Sequence, residues 1–415
     1  MGANFLFYFI NWYLLFKIDV VVRLNSKISY IFVLIYNIII MKYAFVNGVV
    51  ITGGELLRHK AVLVNGSKIV DVVDDNTLPE NVLRVDLKGN YLSPGLIDVQ
   101  LNGAGGAFFG GNPTEEGLAI MEQATMKQGT IGFLPAAATN SLEIYRKMIK
   151  CAVSYRPKAK GNFLGLHMEG PYINPLSRGA HPAELIRKSS LKEVEELFGP
   201  ADGEVKVITM APELQPEEVI RYLDKIGVVV SIGHSAASYE EAMHFLNGKK
   251  RMATHLYNGM QPMHHRNPGL IPAIFRAKPF AGIIADGIHV SFPMVRLAKQ
   301  IMGESLMLVT DGATPCKIGV YQYTLKDGRY VTIGPDGKET LAGSAISMLD
   351  AVKNCVQSVG IPLAEAINMA ALYPAQSLSL EDRLGQIRRG FEASLIVFDS
   401  NFAIKEVYFK GEKQI

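Results

Sequence analysis

Ionisable side chains recur in this sequence where apolar segments of the β type come to an end. Glu169 and His234 come just after two such segments, His255 lies at the end of a third, and Asp311 follows a fourth. One carboxylate and two imidazoles are ligands that zinc and related divalent metals accept, and three protein ligands leave one position for water. A carboxylate such as Asp311 can take a proton from that water and later return it to a leaving group. Each residue alone could be structural, but together they predict metal-assisted hydrolysis.

Neutral hydrogen-bonding residues accompany these groups. The segment "LIDVQLNG" (96–103) ends in Gln100 and Asn102, which are two residues apart and therefore point to the same side of an extended strand. Such a pair alone could simply cap a strand end. His181, in "SRGAH", lies in the loop after Glu169, and an imidazole there can hold a carbonyl oxygen on which charge develops. We therefore add these three residues to the candidate site.

Eight β-type segments alternate with helical ones through the centre of the chain. The helical segments include "TEEGLAIMEQATMKQG", "SLKEVEELFG" and "SYEEAMHFLNG", and the sixth unit is irregular. The alternation predicts an α/β protein with a TIM-type (β/α)8 barrel, in which chemistry sits at the carboxyl ends of the strands. The eight segments are "PGLIDVQL", "IGFLPAA", "FLGLHM", "VKVITM", "VVVSI", "MATHL", "FAGIIA" and "LMLVT".

Short strands and turns occupy both ends of the chain that follows Met41. They predict a small β-sandwich domain built from residues 41–93 and 384–415, with the barrel at 94–383. The tripeptide "VNG" occurs at Val46 and at Val64 between apolar runs, and this pattern predicts two hairpins.

The first forty residues differ from the rest. Their runs "NFLFYFINWYLLF" and "ISYIFVLIYNIII" are each shorter than the ~18–20 residues that span a bilayer, and no small-residue cleavage site follows them. We interpret residues 1–40 as an over-extended start outside the fold, with a membrane anchor as the alternative. A formal net charge of +3 without a basic cluster argues against nucleic-acid binding. The three scattered cysteines fit a reducing compartment.

Several longer motifs resemble, in order, those of the N-acetylglucosamine-6-phosphate deacetylases of the amidohydrolase superfamily. They are "HMEGPYINP…RGAH", "IGHSAASYEEA", "THLYNGM…RNPGL", "ADGIHV", "VTDGATP" and "LAGSAISM". The resemblance extends from about Tyr43 to the carboxyl terminus. It implies a barrel with a small β domain and the removal of acetate from the amide nitrogen of a phosphorylated amino sugar, which would place the enzyme in the cytoplasm.

The resemblance also implies roles for individual residues. Glu169, His234 and His255 would bind the metal, Asp311 would act as general base and then acid, and His181 would polarise the acetyl carbonyl. Arg266 resembles an arginine that reaches the phosphate in the neighbouring subunit, which implies a homodimer with shared sites. The expected substrate-binding residues are Gln100, Asn102, His181, Asn258, Gly259, Arg266, His289, Leu341, Ala342 and Gly343.

Gln100 and Asn102, at the end of the first predicted barrel strand, distinguish between kinds of amidohydrolase. Many members carry a His-x-His pair there that holds a second metal, whereas neutral amides such as Gln100 and Asn102 are poor ligands for a transition metal. We therefore expect one divalent ion per chain, with zinc favoured over iron, cobalt or manganese. Three alternatives remain: a deacetylase for the galactosamine epimer, a ring-opening amidohydrolase of the dihydroorotase or hydantoinase type, and a barrel without catalysis.

Overall fold

Eight parallel strands form the central sheet of the protein, and each pairs with the next along the chain. The computed structural model describes residues 42–248, 250–333, 337 and 339–415. Nearly all strand residues are buried, as expected for a parallel sheet that helices cover. The strands are β1 (Leu96–Leu101), β2 (Thr130–Ala138), β3 (Leu166–Glu169), β4 (Val205–Met210), β5 (Val229–Ile232), β6 (Arg251–Ala253), β7 (Phe280–Ile283) and β8 (Leu306–Leu308).

The two ends of this sheet meet through the residues just beyond β8. The N–H of Asp311 donates to the carbonyl oxygen of Gln100 at 3.0 Å, and the N–H of Asn102 donates to that of Gly312 at 2.8 Å. These bonds nearly close the sheet into a barrel and hold Asp311 beside the end of β1. The predicted barrel is confirmed.

A helix follows each barrel strand. Most of these helices begin at a serine or threonine whose hydroxyl oxygen accepts a backbone N–H of the first turn, as Ser238 does. The irregular sixth unit contains a helix of eight residues. The helices are α1 (Glu115–Lys127), α2 (Leu142–Tyr155), α3 (Leu191–Phe198), α4 (Glu217–Lys225), α5 (Tyr239–Leu246), α6 (Leu270–Ala277), α7 (Phe292–Met302) and α8 (Met348–Asn354).

Two further sheets pack against each other through residues such as Phe45, Leu92 and Tyr408. One sheet has the strand order Lys68–Asp74, Lys60–Asn65, Lys42–Val46 and Leu83–Asp86. The other has the order Glu412–Lys413, Ile404–Phe409, Leu395–Phe398, Tyr91–Pro94, Val49–Thr52 and Glu55–Leu57. Segments from both ends of the described chain thus share a sheet, as predicted. The exact domain boundaries, 41–93 with 384–415 and 94–383, stay proposals.

One of the two predicted hairpins is wrong. The strands on either side of the tripeptide at Val64 pair antiparallel, as a hairpin requires. The strands on either side of the tripeptide at Val46 lie in different sheets, because the chain crosses there from one layer to the other. Apolar runs beside a turn do not reveal which partner each run will take.

A four-stranded antiparallel sheet between β8 and α8 was not predicted. The Tyr321 hydroxyl donates to the carbonyl oxygen of Thr139 at 2.6 Å and ties this sheet to the end of β2. Its strands are Cys316–Ile318, Tyr321–Lys326, Arg329–Ile333 and Glu339–Ser344. We call it the insertion sheet.

Shorter strands and helices flank the first and last barrel units. After β1 come the paired strands Gly103–Ala104 and Ala107–Phe108. After α8 come a π-helical segment at Cys355–Val359 and the helices α9 (Leu363–Ala370) and α10 (Leu372–Ser377).

Within the described ranges, the structure contains no helix that is long and apolar enough to cross a membrane. The interpretation of residues 1–40 lies outside the described residues.

Candidate active site

Three ligand-type side chains converge at the carboxyl ends of the barrel strands. Glu169 is the last residue of β3, and His234 and His255 each follow two residues after the end of a strand. His255 Nε2 lies 3.0 Å from His234 Nε2 and 3.1 Å from Glu169 Oε1, and His234 Nε2 lies 3.4 Å from the same oxygen. All three residues are buried. A carboxylate oxygen and two imidazole nitrogens at this spacing could hold a divalent metal ion.

The fit to a cation is supported by the tautomer of His234. Its Nδ1 lies 2.8 Å from the carbonyl oxygen of Ser177. Because a carbonyl oxygen can only accept, Nδ1 carries the proton, and the lone pair of Nε2 points toward His255 and Glu169. A positive ion suits the space that these electron-rich atoms share.

The backbone at the site is held in an uncommon conformation. His234, His255 and Asp311 have positive φ values of 47°, 26° and 47°, which side chains other than glycine adopt rarely and with strain. The surrounding chain supplies the restraint: for example, the Asn174 N–H donates to the carbonyl oxygen of His234 at 2.8 Å. These turns allow a side chain beyond a strand end to project over the barrel.

The two carboxylates of the site differ in proton affinity. Burial alone would raise the pKa of Glu169, but the neighbouring imidazoles of His234 and His255 outweigh it and hold that pKa well below its ordinary value. Removal from water, together with the negative charge of Glu169, raises the pKa of Asp311 to about 8. Glu169 therefore stays charged as a ligand should, whereas Asp311 can exchange a proton near neutral pH.

The amides of strand β1 hold Asp311 in place. Asn102 Nδ2 donates to Asp311 Oδ1 at 2.6 Å, and Gln100 Nε2 donates to the same oxygen at 3.2 Å. Gln100 Nε2 also donates to Glu169 Oε1 at 2.9 Å. Since both amides engage Oδ1, the second oxygen of Asp311 is the one available for proton transfer.

Two more histidines border the same space. Burial and the neighbouring His234 lower the pKa of His181 to about 3, so this imidazole is neutral. His289 is oriented by Asp286, whose Oδ2 lies 2.6 Å from His289 Nδ1. Asp286 Oδ1 also accepts the N–H groups of Ile288 and His289 at 2.8 and 2.7 Å. Although burial favours its neutral form, these partners lower the pKa of Asp286.

A cavity of about 190 Å³ unites most of the predicted residues. Arg266 does not line it: this side chain is exposed, and its Nη1 lies 2.9 Å from His265 Nε2. Gln100 does not line it either, but its side chain donates to Glu169 and Asp311, which do. The predicted residues that line the cavity are Asn102, Glu169, His181, His234, His255, Asn258, Gly259, His289, Asp311, Leu341, Ala342 and Gly343.

Gly259 lies close to His234 of the Glu169–His234–His255 cluster. Its φ is +59°, and a Cβ added there would lie 2.8 Å from His234 Nδ1. A side chain at this position would require the His234 ring to shift.

Sequence reasoning missed three supporting residues. Asp98, within β1, accepts hydrogen bonds from the Thr310 hydroxyl and from two backbone N–H groups.

Glu213, after β4, accepts hydrogen bonds from Ser235 Oγ at 2.8 Å and from the N–H of Ala236 at 3.0 Å, next to His234. Thr139 directly follows β2. A carboxylate three residues after the end of β4 was a usable signal, whereas a threonine after a strand was not.

Comparison with known proteins agrees with this geometry. The amidohydrolase family matches residues 91–413, and the NagA composite domain matches residues 42–92. The fold and the buried His/Glu cluster therefore define the class as amidohydrolase.

Individual relatives show which family of amidohydrolases the chain belongs to. An N-acetylglucosamine-6-phosphate deacetylase from Haemophilus influenzae is 37% identical over 383 residues, which cover 90% of this chain and 99% of the relative. The crystal structure of the Pasteurella multocida deacetylase of that name has a TM-score of 0.85 at 36% identity, with coverage of 90% and 99%. A Mycobacterium smegmatis deacetylase variant in complex with N-acetyl-D-glucosamine-6-phosphate has a TM-score of 0.82 at 27% identity, again with coverage of 90% and 99%. The chain belongs to the N-acetylglucosamine-6-phosphate deacetylase family of amidohydrolases.

Proposed function

We propose that this enzyme hydrolyses the acetamide of N-acetyl-D-glucosamine 6-phosphate to D-glucosamine 6-phosphate and acetate. The observation that carries the proposal is the convergence of Glu169, His234, His255 and Asp311 on one cavity, in a chain whose full-length relatives bear that activity in their names. Because the substrate is a phosphorylated sugar, we place the enzyme in the cytoplasm.

Glu169, His234 and His255 would hold one divalent ion, for which we favour zinc; iron, cobalt and manganese accept the same ligands. When bound, such an ion lowers the pKa of water and polarises a carbonyl group. Gln100 and Asn102 support the choice of a single ion, because their amide nitrogens are already used as donors to Glu169 and Asp311.

Asp311 would move the proton in both halves of the reaction. Its free oxygen takes a proton from the attacking water while the water oxygen bonds to the acetyl carbon. It then gives that proton to the amide nitrogen as the carbon–nitrogen bond breaks, which releases the amine and acetate. The pKa of about 8 suits a group that must accept and then donate near neutral pH.

His181 would act on the acetyl oxygen. Its ring is neutral and lines the cavity, so it can donate a hydrogen bond to the oxygen as negative charge develops there. Asn258, Gly259 and His289 would bind the sugar phosphate, with Leu341, Ala342 and Gly343 of the insertion sheet as further contacts. The Asp286 bond to His289 Nδ1 leaves Nε2 for this purpose.

Arg266 would serve the active site of a second subunit in a homodimer. Its exposed position away from its own cavity supports this assignment, and a guanidinium group can hold two phosphate oxygens at once. Mixing Arg266→Ala chains with Asp311→Asn chains tests the proposal. A mixed dimer then has one intact site, so activity should recover to about a quarter of wild type. Activity no greater than the sum of the separate variants would contradict sharing.

The activity itself is tested by acetate release from protein expressed from Met1 and from Met41, with Asp311→Asn as control. The substrates are N-acetylglucosamine 6-phosphate, its unphosphorylated parent and the galactosamine 6-phosphate epimer. We expect rapid release from the first alone. No release from it by folded, zinc-loaded protein would refute the proposed function, and faster release from the epimer would reassign the substrate.

A further inference from the structure

Thr139 lies in the candidate site without a role in the chemistry described so far. It directly follows β2 and is completely buried. Its hydroxyl oxygen lies 2.7 Å from His181 Nδ1, and its backbone N–H donates to the same nitrogen at 3.4 Å. Its carbonyl oxygen accepts the Tyr321 hydroxyl at 2.6 Å. The hydroxyl and the backbone N–H of Thr139 therefore both lie near His181 Nδ1, and the His181 ring lines the cavity.

These contacts determine where the imidazole proton lies. A backbone N–H can only donate, so its long 3.4 Å contact favours His181 Nδ1 as the acceptor, and the proton of a neutral ring is then on Nε2. The Thr139 hydroxyl has an alternative acceptor in the carbonyl oxygen of Glu169, but at 3.3 Å that contact is longer than the 2.7 Å contact to Nδ1. The hydroxyl thus adds a second hydrogen bond that favours the same tautomer.

The surrounding backbone makes room for this hydroxyl. Gly170, with φ of +88°, follows the metal-ligand residue Glu169, and a Cβ at Gly170 would lie 2.1 Å from Thr139 Oγ1. No side chain could occupy position 170 in this structure without displacing that oxygen. The Thr139 hydroxyl therefore packs directly against the backbone of Gly170, next to Glu169.

We propose that Thr139 is a positioning residue that fixes His181 in the tautomer with its proton on Nε2, the nitrogen left free for the substrate. This proposal rests on the proposed function, in which His181 donates to the acetyl oxygen. In the other tautomer Nε2 would present a lone pair to an oxygen on which negative charge develops, and the interaction would become repulsive. Thr139 would thus act on the transition state through His181 without touching the substrate.

The test compares Thr139→Val, which keeps the shape but removes the hydroxyl, with Thr139→Ser, which keeps the hydroxyl. Thr125→Val is a matched control: Thr125 is also buried, but its hydroxyl donates to Met121 and Glu122 within α1, away from the cavity. Nitrogen-15 NMR of labelled imidazoles, with the signal assigned by His181→Asn, reports the tautomer. Acetate release gives kcat and KM.

We expect the proton on Nε2 in wild type, Thr139→Ser and Thr125→Val, and a mixture of tautomers in Thr139→Val. In that variant kcat should fall ~10-fold while KM changes less than ~3-fold, as expected for one lost hydrogen bond felt mainly in the transition state. Thr139→Ser should restore kcat.

Two results would overturn the proposal. One is a wild-type His181 that carries its proton on Nδ1, which is decided without any variant at position 139. The other is a Thr139→Val protein with the wild-type tautomer and kcat. If wild type releases no acetate, the proposed function fails, whereas the NMR measurement still decides whether Thr139 sets the tautomer.

Discussion

Replacement of Asp98 by asparagine should change the pH dependence of stability in a direction set by the structure. Asp98 is 1% exposed. Its carboxylate accepts the Thr310 hydroxyl and the N–H groups of Thr310 and Gln100, the latter two at 3.3 and 3.1 Å. The Thr310 hydroxyl oxygen in turn accepts the N–H of Gly312 at 2.9 Å. This chain of bonds joins β1 to the segment that carries Asp311.

The direction of this pH dependence follows from the burial of Asp98. Removal from water outweighs these hydrogen bonds and raises the pKa of Asp98 from 3.8 to about 6. Between these values the folded protein binds more protons than the unfolded chain, so the stability that the protonated group contributes is complete below pH 3.8 and is lost as pH rises through about 6. One pKa unit corresponds to about 1.4 kcal/mol, so the full effect is about 3 kcal/mol, of which about 2 kcal/mol falls between about pH 4.5 and about pH 7.5.

Asparagine has no proton to bind, and any change in its hydrogen bonds shifts stability by the same amount at every pH. The unfolding free energy of Asp98→Asn minus that of wild type should therefore rise by about 2 kcal/mol over this range. Urea unfolding followed by circular dichroism measures it, with chelator present because metal binding is itself pH-dependent.

Asp86→Asn is the control. Asp86 is exposed, and a hydrogen bond from the Lys88 N–H lowers its pKa, so that variant should show a smaller trend of opposite sign. A difference for Asp98→Asn that is constant or falls with rising pH would refute the reasoning.

Three further predictions concern the site directly. Glu169→Gln removes the one anionic member of the ligand cluster, so metal affinity should fall ~100-fold or more. Atomic-emission analysis after dialysis measures the bound zinc, and a content of one zinc ion per chain would contradict this prediction. Asp311→Asn keeps an oxygen for the bond from Asn102 but cannot accept a proton, so kcat should fall ~1,000-fold with substrate affinity by calorimetry nearly unchanged; a kcat within tenfold of wild type would exclude Asp311 as the base. Asn102→Ala loses the 2.6 Å bond to Asp311, so kcat should fall ~10-fold with zinc content unchanged; loss of zinc would instead assign Asn102 to the metal site.

The barrel and the ligand cluster were predictable because parallel strands place their carboxyl ends on one rim. Glu169, His234 and His255 are separated in sequence, but each lies at or just after the end of a β-type segment, and counting those segments was enough to bring them together. The sequence could not show that the backbone at His234 and His255 has positive φ values. That conformation depends on contacts from other loops, such as the bond from Asn174.

Other features depend on partners that a sequence pattern does not identify. Thr139 was missed because threonine is an ordinary strand residue, and only the approach of His181 gives its hydroxyl a role. The insertion sheet was missed because its strands mix buried and exposed residues and so lack the continuous burial of the barrel strands. The tripeptide at Val46 has the same letters as the one at Val64, yet only the second has a paired strand on either side.

The six-stranded sheet has a consequence for synthesis of the protein on the ribosome. Tyr91–Pro94 pairs with Leu395–Phe398, which in turn pairs with Ile404–Phe409. Tyr91–Pro94 is synthesised early, so its partner Leu395–Phe398 is absent until nearly the whole chain has been made. The intervening barrel is synthesised during that time. During that interval the edge of Tyr91–Pro94 that pairs with Leu395–Phe398 is unpaired and accessible to chaperones. A premature stop before Leu395 would leave this edge permanently unpaired, so nascent chains truncated there should be retained by chaperones or aggregate.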